Sequence, residues 1–279
     1  MMIAKILMDN RKQDASLERE HGFSMYLETE NNKCLVDVGA SEGFARNAHK
    51  LDIDIADIDY LFLTHGHADH VGGLPFFLRK NKKAKIIVSE QALSQKYYSS
   101  RRGLKDISPN IQMNFSYSRF IRVAADTILE KDIRIFHNVT SDFPTPKGNS
   151  FLMKDSGDGL MADDFNHELL FCFGEKEQMV CTGCAHGGLQ NILNTVTQKT
   201  TLPIKTVIGG FHLLDTDDMN QYESMEEVEQ IALALKNDYP DTMFYTGHCT
   251  GEKPYNQMKK ILGSSLDIFY VGKEITINF

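Results

Sequence analysis

Hydrophobic and polar positions alternate along the chain in short segments, which is the pattern of a layered α/β protein. Apolar runs rich in β-branched and aromatic residues predict strands near 2–8, 23–28, 33–38, 60–64, 85–88, 168–173, 178–182, 204–208 and 242–246. Longer segments predict helices over about 71–79, 89–98, 188–196 and 223–237. Strands and helices that follow one another in this way predict the α/β fold class, with sheets covered by helices.

The segment 90–165 is less regular than the rest of the chain. It contains short β-like pieces at 120–124 and 132–137 and a polar loop near 144–148. No linker rich in proline, glycine, serine or like charges divides the sequence, so we predict a single domain over 1–279. Within it, 90–165 is the predicted insertion that covers the substrate.

Composition and charge narrow the classes of function. A net charge of −8 and a pI near 5.7 argue against a nucleic-acid-binding surface. No segment approaches the roughly 18 consecutive apolar residues of a membrane-spanning helix. Residues 1–8 are interrupted by Lys5 and predict an opening strand rather than a signal peptide. We therefore expect a cytoplasmic protein that binds neither nucleic acid nor membrane.

The cysteines argue against a disulfide-bonded protein. Their number, five, is odd, which does not fit a disulfide framework. Cys181 and Cys184 have the C-x-x-C spacing of thiol redox pairs. In such pairs a helix begins just after the first cysteine, whereas here a strand ends in glycine, so we do not expect a redox pair.

The most informative segment is 65–70, where His65, His67, Asp69 and His70 fall within one turn after a predicted strand. The whole chain has ten histidines, so this density is not expected by chance. Imidazole and carboxylate groups are ligands of zinc, iron and manganese. A loop after a strand can direct His65 and His67 to one ion and Asp69 and His70 to a second. The segment therefore predicts a site for two divalent metal ions at a strand end.

The sequence also resembles a known family. The pattern His-x-His-x-Asp-His within Thr64–His70 resembles the signature of the metallo-β-lactamase superfamily, and Leu35–Gly39 resembles the preceding strand that ends in Asp-x-Gly there. Four other segments resemble those of one subgroup of that superfamily: His21–Ser24, Thr182–Gly188, Gly209–Leu213 and Thr246–Gly251. The subgroup contains the dihydropterin ribofuranosyl-aminobenzene phosphate synthases of methanopterin biosynthesis and many uncharacterised metal-dependent hydrolases. The resemblance covers nearly the whole chain and implies a four-layer αβ/βα sandwich.

The resemblance also implies which residues complete two metal sites. The superfamily pattern requires a further histidine, a bridging aspartate or cysteine, and a last histidine. His248 matches the last of these because it follows the strand 242–246. No aspartate ends the strand 178–182, so Cys184 is the candidate for the bridging position, since a thiolate is a good zinc ligand. His186 would supply the missing imidazole of the first site.

Several residues near these candidates have more than one interpretation. His212 ends the strand-like run 206–210 and could be a ligand or contact substrate. Asp37 could orient a ligating histidine through its second ring nitrogen, or stabilise the turn before Gly39. His21 could line the pocket or belong to a turn. The other histidines lack a strand-end position and are expected at the surface: His49, His137 and His167.

These candidates predict a dinuclear metal-dependent hydrolase-like enzyme. Zinc, with manganese or iron as alternatives, would lower the pKa of water to about 7 and so supply hydroxide at neutral pH. Asp69 could bind metal and also accept a proton as the catalytic group. The expected partner is a small anionic substrate, for example a phosphorylated pterin. Side chains that could receive it, most of them expected to be ordinary surface, are Tyr97, Tyr98, Arg101, Arg102, Arg119 and Arg122.

Three alternatives remain beside hydrolysis. The resemblance allows a transferase of the dihydropterin-phosphate synthase type. A non-catalytic metal-binding or redox-sensing module could use Cys184 and Cys249. A redox di-iron centre is disfavoured, because such relatives carry glutamate where this chain has His67.

Overall fold

The computed structural model describes residues 1–110 and 118–278, so residues 111–117 of the predicted insertion lie outside the described part. The helices are α1 (Gly43–Lys50), α2 (Ala68–Val71), α3 (Leu74–Lys80), α4 (Leu189–Lys199), α5 (Met225–Asp238) and α6 (Glu252–Leu262), with 3-10 helices at Ile55–Asp57, Lys147–Phe151 and Gly263–Ser265. The first nine strands are β1 (Met2–Met8), β2 (Ser24–Glu28), β3 (Lys33–Val36), β4 (Tyr60–Phe62), β5 (Lys85–Ser89), β6 (Tyr97–Ser99), β7 (Lys105–Asp106), β8 (Phe120–Val123) and β9 (Thr127–Glu130). The other nine are β10 (Ile133–His137), β11 (Leu152–Asp155), β12 (Leu160–Ala162), β13 (Leu169–Phe173), β14 (Gln178–Cys181), β15 (Ile204–Ile208), β16 (Met243–Thr246), β17 (Leu266–Ile268) and β18 (Glu274–Ile277).

Two seven-stranded mixed sheets form the centre of the fold. The first has the order β18-β1-β2-β3-β4-β5-β8, in which β3, β4, β5 and β8 are parallel. The second has the order β17-β16-β15-β14-β13-β10-β9, in which β14 to β17 are parallel. Each sheet therefore joins a parallel half, which needs crossover helices, to an antiparallel half.

Both sheets are buried on both faces. In β4, Phe62 lies in the core between the sheets, whereas Leu61 packs in the core that also contains Phe44 of α1. In β14, Met179 faces the other sheet, whereas Val180 packs in the core shared by α4, α5 and α6. The layers are thus helices, sheet, sheet and helices, which is the expected αβ/βα sandwich. A strand buried on both faces is a nearly continuous apolar run, and this is why these strands are readable in the sequence.

Every predicted strand overlaps an observed one, and the helices predicted over 71–79, 188–196 and 223–237 correspond to α2 and α3, to α4 and to α5. Ser224 caps the start of helix α5 and forms a capping box with Glu227. The prediction of a helix over 89–98 is wrong. Turns occupy that segment until β6 begins at Tyr97, because β6 pairs with β11 far along the chain. Such long-range pairing overrides a weak local helix preference.

A small third sheet of the order β12-β11-β6-β7 is built from the described part of 90–165. It begins with Tyr97, which is buried against the ring of His67 at 5.4 Å between centroids. The described residues of the predicted insertion are therefore divided: β8, β9 and β10 belong to the two central sheets, and the small third sheet packs against the histidine cluster. In the described part of the chain, no helix combines the length and apolar character needed to span a membrane.

Candidate metal centre

The candidate site lies where parallel strands of both sheets end. In the first sheet, β3 and β4 are followed by Asp37 and His65. In the second sheet, β14, β15 and β16 are followed by Cys184, His212 and His248. Binding sites in α/β proteins usually lie in the loops that follow the carboxyl ends of parallel strands. The fold therefore brings residues that are far apart in the sequence, such as Asp37 and His248, to one edge of the two sheets.

The first group of candidate ligands consists of three buried histidines, His65, His67 and His186. Their ligand nitrogens lie within 4.8 Å of one another. The Nε2 atom of each is buried and has no hydrogen-bond partner. Buried polar atoms in folded proteins nearly always have a partner, so three orphaned nitrogens around one point call for an explanation. A divalent cation, which accepts the lone pairs of all three, satisfies them together.

The second group consists of Asp69, His70 and His248, with Cys184 beside them. His70 Nε2 lies 3.0 Å from His248 Nε2 and 3.7 Å from Asp69 Oδ2. His248 Nε2 lies 3.4 Å from Asp69 Oδ2, and Cys184 Sγ lies 3.2 Å from His70 Nε2. Ligands about 2.0–2.2 Å from a tetrahedral zinc ion lie about 3.4 Å from one another. The four atoms thus have the spacing of a metal coordination shell.

Asp37 is connected to both groups of ligands. Its Oδ2 accepts a hydrogen bond from His70 Nδ1 at 2.6 Å and from Thr64 Oγ1 at 2.7 Å. Because the Thr64 hydroxyl donates to Asp37, it accepts from His65 Nδ1, which lies 2.9 Å away. Both His70 and His65 therefore carry their proton on Nδ1 and have a free lone pair on Nε2. The carboxylate, which is fully buried, sets the tautomer of one histidine in each group.

Three other residues that the sequence did not single out, Asn149, Asn10 and Asp9, hold His186 and His248 in place. Asn149 Oδ1 lies 3.0 Å from His186 Nδ1, and Asn149 Nδ2 donates to the backbone carbonyl of His186. Asn10 Oδ1 lies 3.3 Å from His248 Nδ1, and the buried Asp9 accepts from the His248 backbone N–H at 2.6 Å. The signal for Asp9 and Asn10 is their position directly after β1, which runs parallel to β3.

Several site residues have a left-handed backbone. Positive φ angles occur at Asp37 (54°), Ala185 (57°), His212 (50°) and His248 (46°). This conformation is unfavourable for residues with a Cβ, so it persists only where the surrounding structure enforces it. Here it follows directly after strands and turns the side chains toward the shared edge. Of the seven non-glycine residues with positive φ in the described part of the chain, these four therefore lie at the site.

The cysteines divide into two environments. Cys181 lies in the core between the sheets, whereas Cys184 faces His70, so the two ends of the C-x-x-C segment lie in different surroundings. All five cysteines are free thiols, as expected. Cys249 Sγ accepts from the His212 backbone N–H at 3.3 Å. His212 is buried, both of its ring nitrogens lack partners, and its ligand atom lies within 4.8 Å of those of Cys184 and His186. That position suits a ligand or a substrate contact.

The electrostatics of the site keep most of the imidazoles neutral. Burial lowers the pKa of His67 to about 4 and the pKa values of His65 and His186 well below the usual range. Burial also disfavours the charged form of His248. The hydrogen bond to Asp69 and the nearby negative groups outweigh burial and raise the pKa of His248 to about 9. The pKa of Asp69 is well below its usual range because the neighbouring histidines outweigh its burial. A neutral imidazole and an ionised carboxylate are the forms that bind metal.

The expectation that His167 lies at the surface is wrong. It is buried, and its ring packs against Tyr97 and His67 at 4.4 and 5.4 Å between centroids. Its neighbour Glu168 is also buried and accepts from the backbone N–H groups of His186 and Gly187, both at 2.8 Å. Burial raises the pKa of Glu168 to about 7. The only sequence signal was their position directly before β13.

The other histidines are as expected or intermediate. His49 is exposed, and His137 is half-buried at the end of β10. The side chain of His21 is 68% exposed, yet its ring stacks on His248 at 5.1 Å and its Nε2 lies 3.3 Å from Asp69 Oδ2. His21 therefore belongs to a turn at the rim of the site.

Comparison with known proteins agrees with this architecture. A family model described as the metallo-beta-lactamase superfamily matches residues 17–161. An uncharacterized protein of Methanocaldococcus jannaschii is 26% identical over 278 residues, covering 98% of this chain and 99% of its own. The 7,8-dihydropterin-6-methyl-4-(beta-D-ribofuranosyl)-aminobenzene-5'-phosphate synthase of the same organism is 23% identical, covering 92% of this chain and 90% of its own.

Among solved structures, a metal-dependent hydrolase of the beta-lactamase superfamily matches with a TM-score of 0.84, 27% identity and full coverage of both chains. A diphosphatase of the PhnP family matches at 13% identity with a TM-score of 0.55, which shows the shared fold alone. The family model covers more than half of the chain, and its match includes the His-x-His-x-Asp-His segment. The chain belongs to the metallo-beta-lactamase superfamily.

Proposed function

We propose that this protein is a dinuclear metal-dependent hydrolase that acts on a small anionic substrate. The observation that carries the proposal is the set of three buried, unpartnered Nε2 atoms on His65, His67 and His186, beside a second set of donors at coordination spacing. Isolated buried nitrogens of this kind are costly. An unpartnered set beside a second set of donors, with the tautomers of His65 and His70 fixed by hydrogen bonds, is what a pair of ions requires.

The donor sets fit zinc best. His65, His67 and His186 would hold one ion, and Asp69, His70 and His248, with Cys184, would hold the other. The thiol favours zinc over manganese, because sulfur is a poor ligand for the harder ion. When bound, the ions would supply hydroxide at neutral pH and stabilise negative charge on the reacting group. Asp69, kept ionised by its histidine neighbours, would bind the ion through one carboxylate oxygen and accept a proton on the other.

Arg101 is the cation that supports an anionic substrate. A cavity of about 590 Å³ reaches His186 and is lined mainly by residues from 138–150 and 162–168. The small third sheet leads from Tyr97, at the histidine cluster, to Arg101, whose guanidinium lies 5.7 Å from the centre of the Tyr222 ring. A cation there could receive a phosphate or carboxylate. Arg119 is not such a candidate, because it donates to Asn81 and to the carbonyl of Ala84.

A second candidate function is a synthase reaction. The relative named as a dihydropterin phosphate synthase is similar over nearly the whole chain, which supports a condensation in which a phosphorylated group leaves. Both reactions would use the same ion pair to stabilise the departing anion. They differ in the acceptor, which is water in hydrolysis and an organic nucleophile in condensation.

The test combines metal content and turnover. Protein purified without chelator is analysed for zinc, manganese and iron, and tested on phosphodiester, phosphomonoester and lactone substrates. His67→Ala and Cys184→Ala are compared with the native chain, and the exposed His49→Ala is the matched control. About two ions per native chain, reduced together with activity in His67→Ala but not in His49→Ala, would support the proposal. Fewer than one ion per chain, or activity that does not follow metal content, would contradict it.

A further inference from the structure

A buried carboxylate outside the expected ligand pattern lies against the first group of histidines. Asp163 follows β12, and its side chain is fully buried. Its Oδ2 lies 3.6 Å from His67 Nε2. That separation is too long for a good hydrogen bond, and His67 Nε2 has no other hydrogen-bond partner. It is close to the spacing of about 3.4 Å between two ligands of one tetrahedral ion.

The proton positions around Asp163 can be assigned from its partners. The backbone N–H of Gly66 donates to His167 Nδ1 at 3.0 Å, so His167 carries its own proton on Nε2. That Nε2 donates to Asp163 Oδ2 at 3.1 Å. The second oxygen, Oδ1, accepts from the backbone N–H of Phe165 at 2.9 Å. Asp163 is therefore held as an anion, and His167 has no free lone pair with which to bind metal itself.

The arrangement also connects the carboxylate to the ligand turn. Gly66 stands between His65 and His67, so the His167 ring joins the turn that presents two candidate ligands to the carboxylate beside them. Tyr97 packs on His167 at 4.4 Å between ring centroids and closes the other side. A buried anion needs a compensating positive charge. An ion held by His65, His67 and His186 would supply that charge.

We propose that Asp163 is a fourth protein ligand of the first ion, together with His65, His67 and His186, and that His167 is the positioning residue that holds its carboxylate. The inference rests on the proposed dinuclear function. It changes the character of the first site from three neutral imidazoles to a set with one negative charge. A charged, four-ligand site holds a divalent ion more tightly than three neutral imidazoles do.

The experiment measures ion binding directly, without relying on turnover. Asp163→Asn and Asp163→Ala are titrated with zinc in competition with a chromophoric chelator, and are also loaded with cobalt(II), whose visible absorption depends on its coordination number and ligands. The matched control is Asp164→Asn, which removes a neighbouring exposed carboxylate that pairs with Lys154. We expect the affinity for one of two ions to fall by at least about tenfold in both Asp163 variants. The cobalt spectrum should change with it, while Asp164→Asn should match the native chain.

Each outcome distinguishes this inference from the proposed function. If the native chain binds two ions and Asp163→Asn binds both with native affinity and an unchanged cobalt spectrum, the inference is wrong and the proposed function stands. If the native chain binds no ions, the proposed function itself fails. Should the Asp163 variants not fold, His167→Gln takes their place. Weaker binding of one ion with an altered spectrum would then support the positioning role, and native values would overturn it.

Discussion

Replacing Asp37 with asparagine tests the hydrogen-bond connection between the two groups of ligands. Asp37 accepts three hydrogen bonds, from the Thr64 backbone N–H at 2.8 Å, the Thr64 hydroxyl at 2.7 Å and His70 Nδ1 at 2.6 Å. The asparagine side chain would keep one acceptor oxygen and replace the other with an NH₂ donor. If that donor occupied the Oδ2 position, it would face two groups that are themselves donors. His70 would then have to move its proton to Nε2, the atom that faces His248.

The size of the effect follows from the buried network. The Thr64 hydroxyl would also reverse and donate to His65, which would place the proton of His65 on its Nε2. Rotating the amide the other way would leave two buried donors facing each other at the Thr64 N–H, at a cost of about 1–3 kcal/mol. Loss of a hydrogen bond that orients a metal ligand typically lowers affinity by about 10- to 100-fold, or about 1.4–2.8 kcal/mol. We expect a loss in this range for both ions.

Two further variants separate the contributions. Thr64→Val removes the hydroxyl that connects Asp37 with His65 but leaves the Asp37–His70 contact, so only one ion should bind more weakly. Asp59→Asn is the matched control, because Asp59 lies at the opposite end of β4, where it accepts from the Lys33 backbone N–H at 2.9 Å. Its zinc affinities should equal those of the native chain.

The assay is zinc titration against a chromophoric chelator, with circular dichroism and thermal melting as checks of folding. Native affinity for both ions in a folded Asp37→Asn protein would refute the assignment of the two tautomers. A loss confined to one ion would show that the Thr64 relay does not control His65.

The remaining predictions concern thiols, ions and packing. Burial raises the pKa of Cys172 to about 12, so alkylation of the native protein at pH 8 should spare Cys172, as mass spectrometry of the labelled peptides would show; rapid labelling of Cys172 would contradict its burial. Chelation should lower the melting temperature, because each ion present at about 100 times its dissociation constant adds about 2.7 kcal/mol of stability; an unchanged melting curve would contradict binding to the native state. Gly183→Ala should lower the free energy of unfolding in urea by about 1–3 kcal/mol and weaken binding of the first ion. The reason is that the new Cβ would meet the Thr64 side chain and lie 3.0 Å from His65 Nδ1. Native stability and native zinc affinity in this variant would show that the Thr64–His65 contact tolerates displacement.

The sequence alone was sufficient to predict the core strands and the part of the site where candidate ligands are closest together along the chain. Strands buried on both faces are readable as apolar runs because neither face needs polar residues. His65, His67, Asp69 and His70 lie within six positions, so their convergence is a local property of one turn. The resemblance to the superfamily added His186 and His248, whose strand-end positions the structure brings to the same edge.

Only the tertiary structure decided which polar groups surround those candidates. Asp163 and His167 are distant in sequence from Gly66 and His67, and a polar segment before a strand gives no sign that it will be buried. The helix expected over 89–98 is instead replaced by turns and a strand, because the pairing of β6 with β11 is a long-range interaction. Tautomers likewise depend on contacts such as Asp37 with His70, which are 33 positions apart. Local sequence sets backbone preference and residue chemistry, whereas burial and hydrogen-bond partners are set by which distant strands become neighbours.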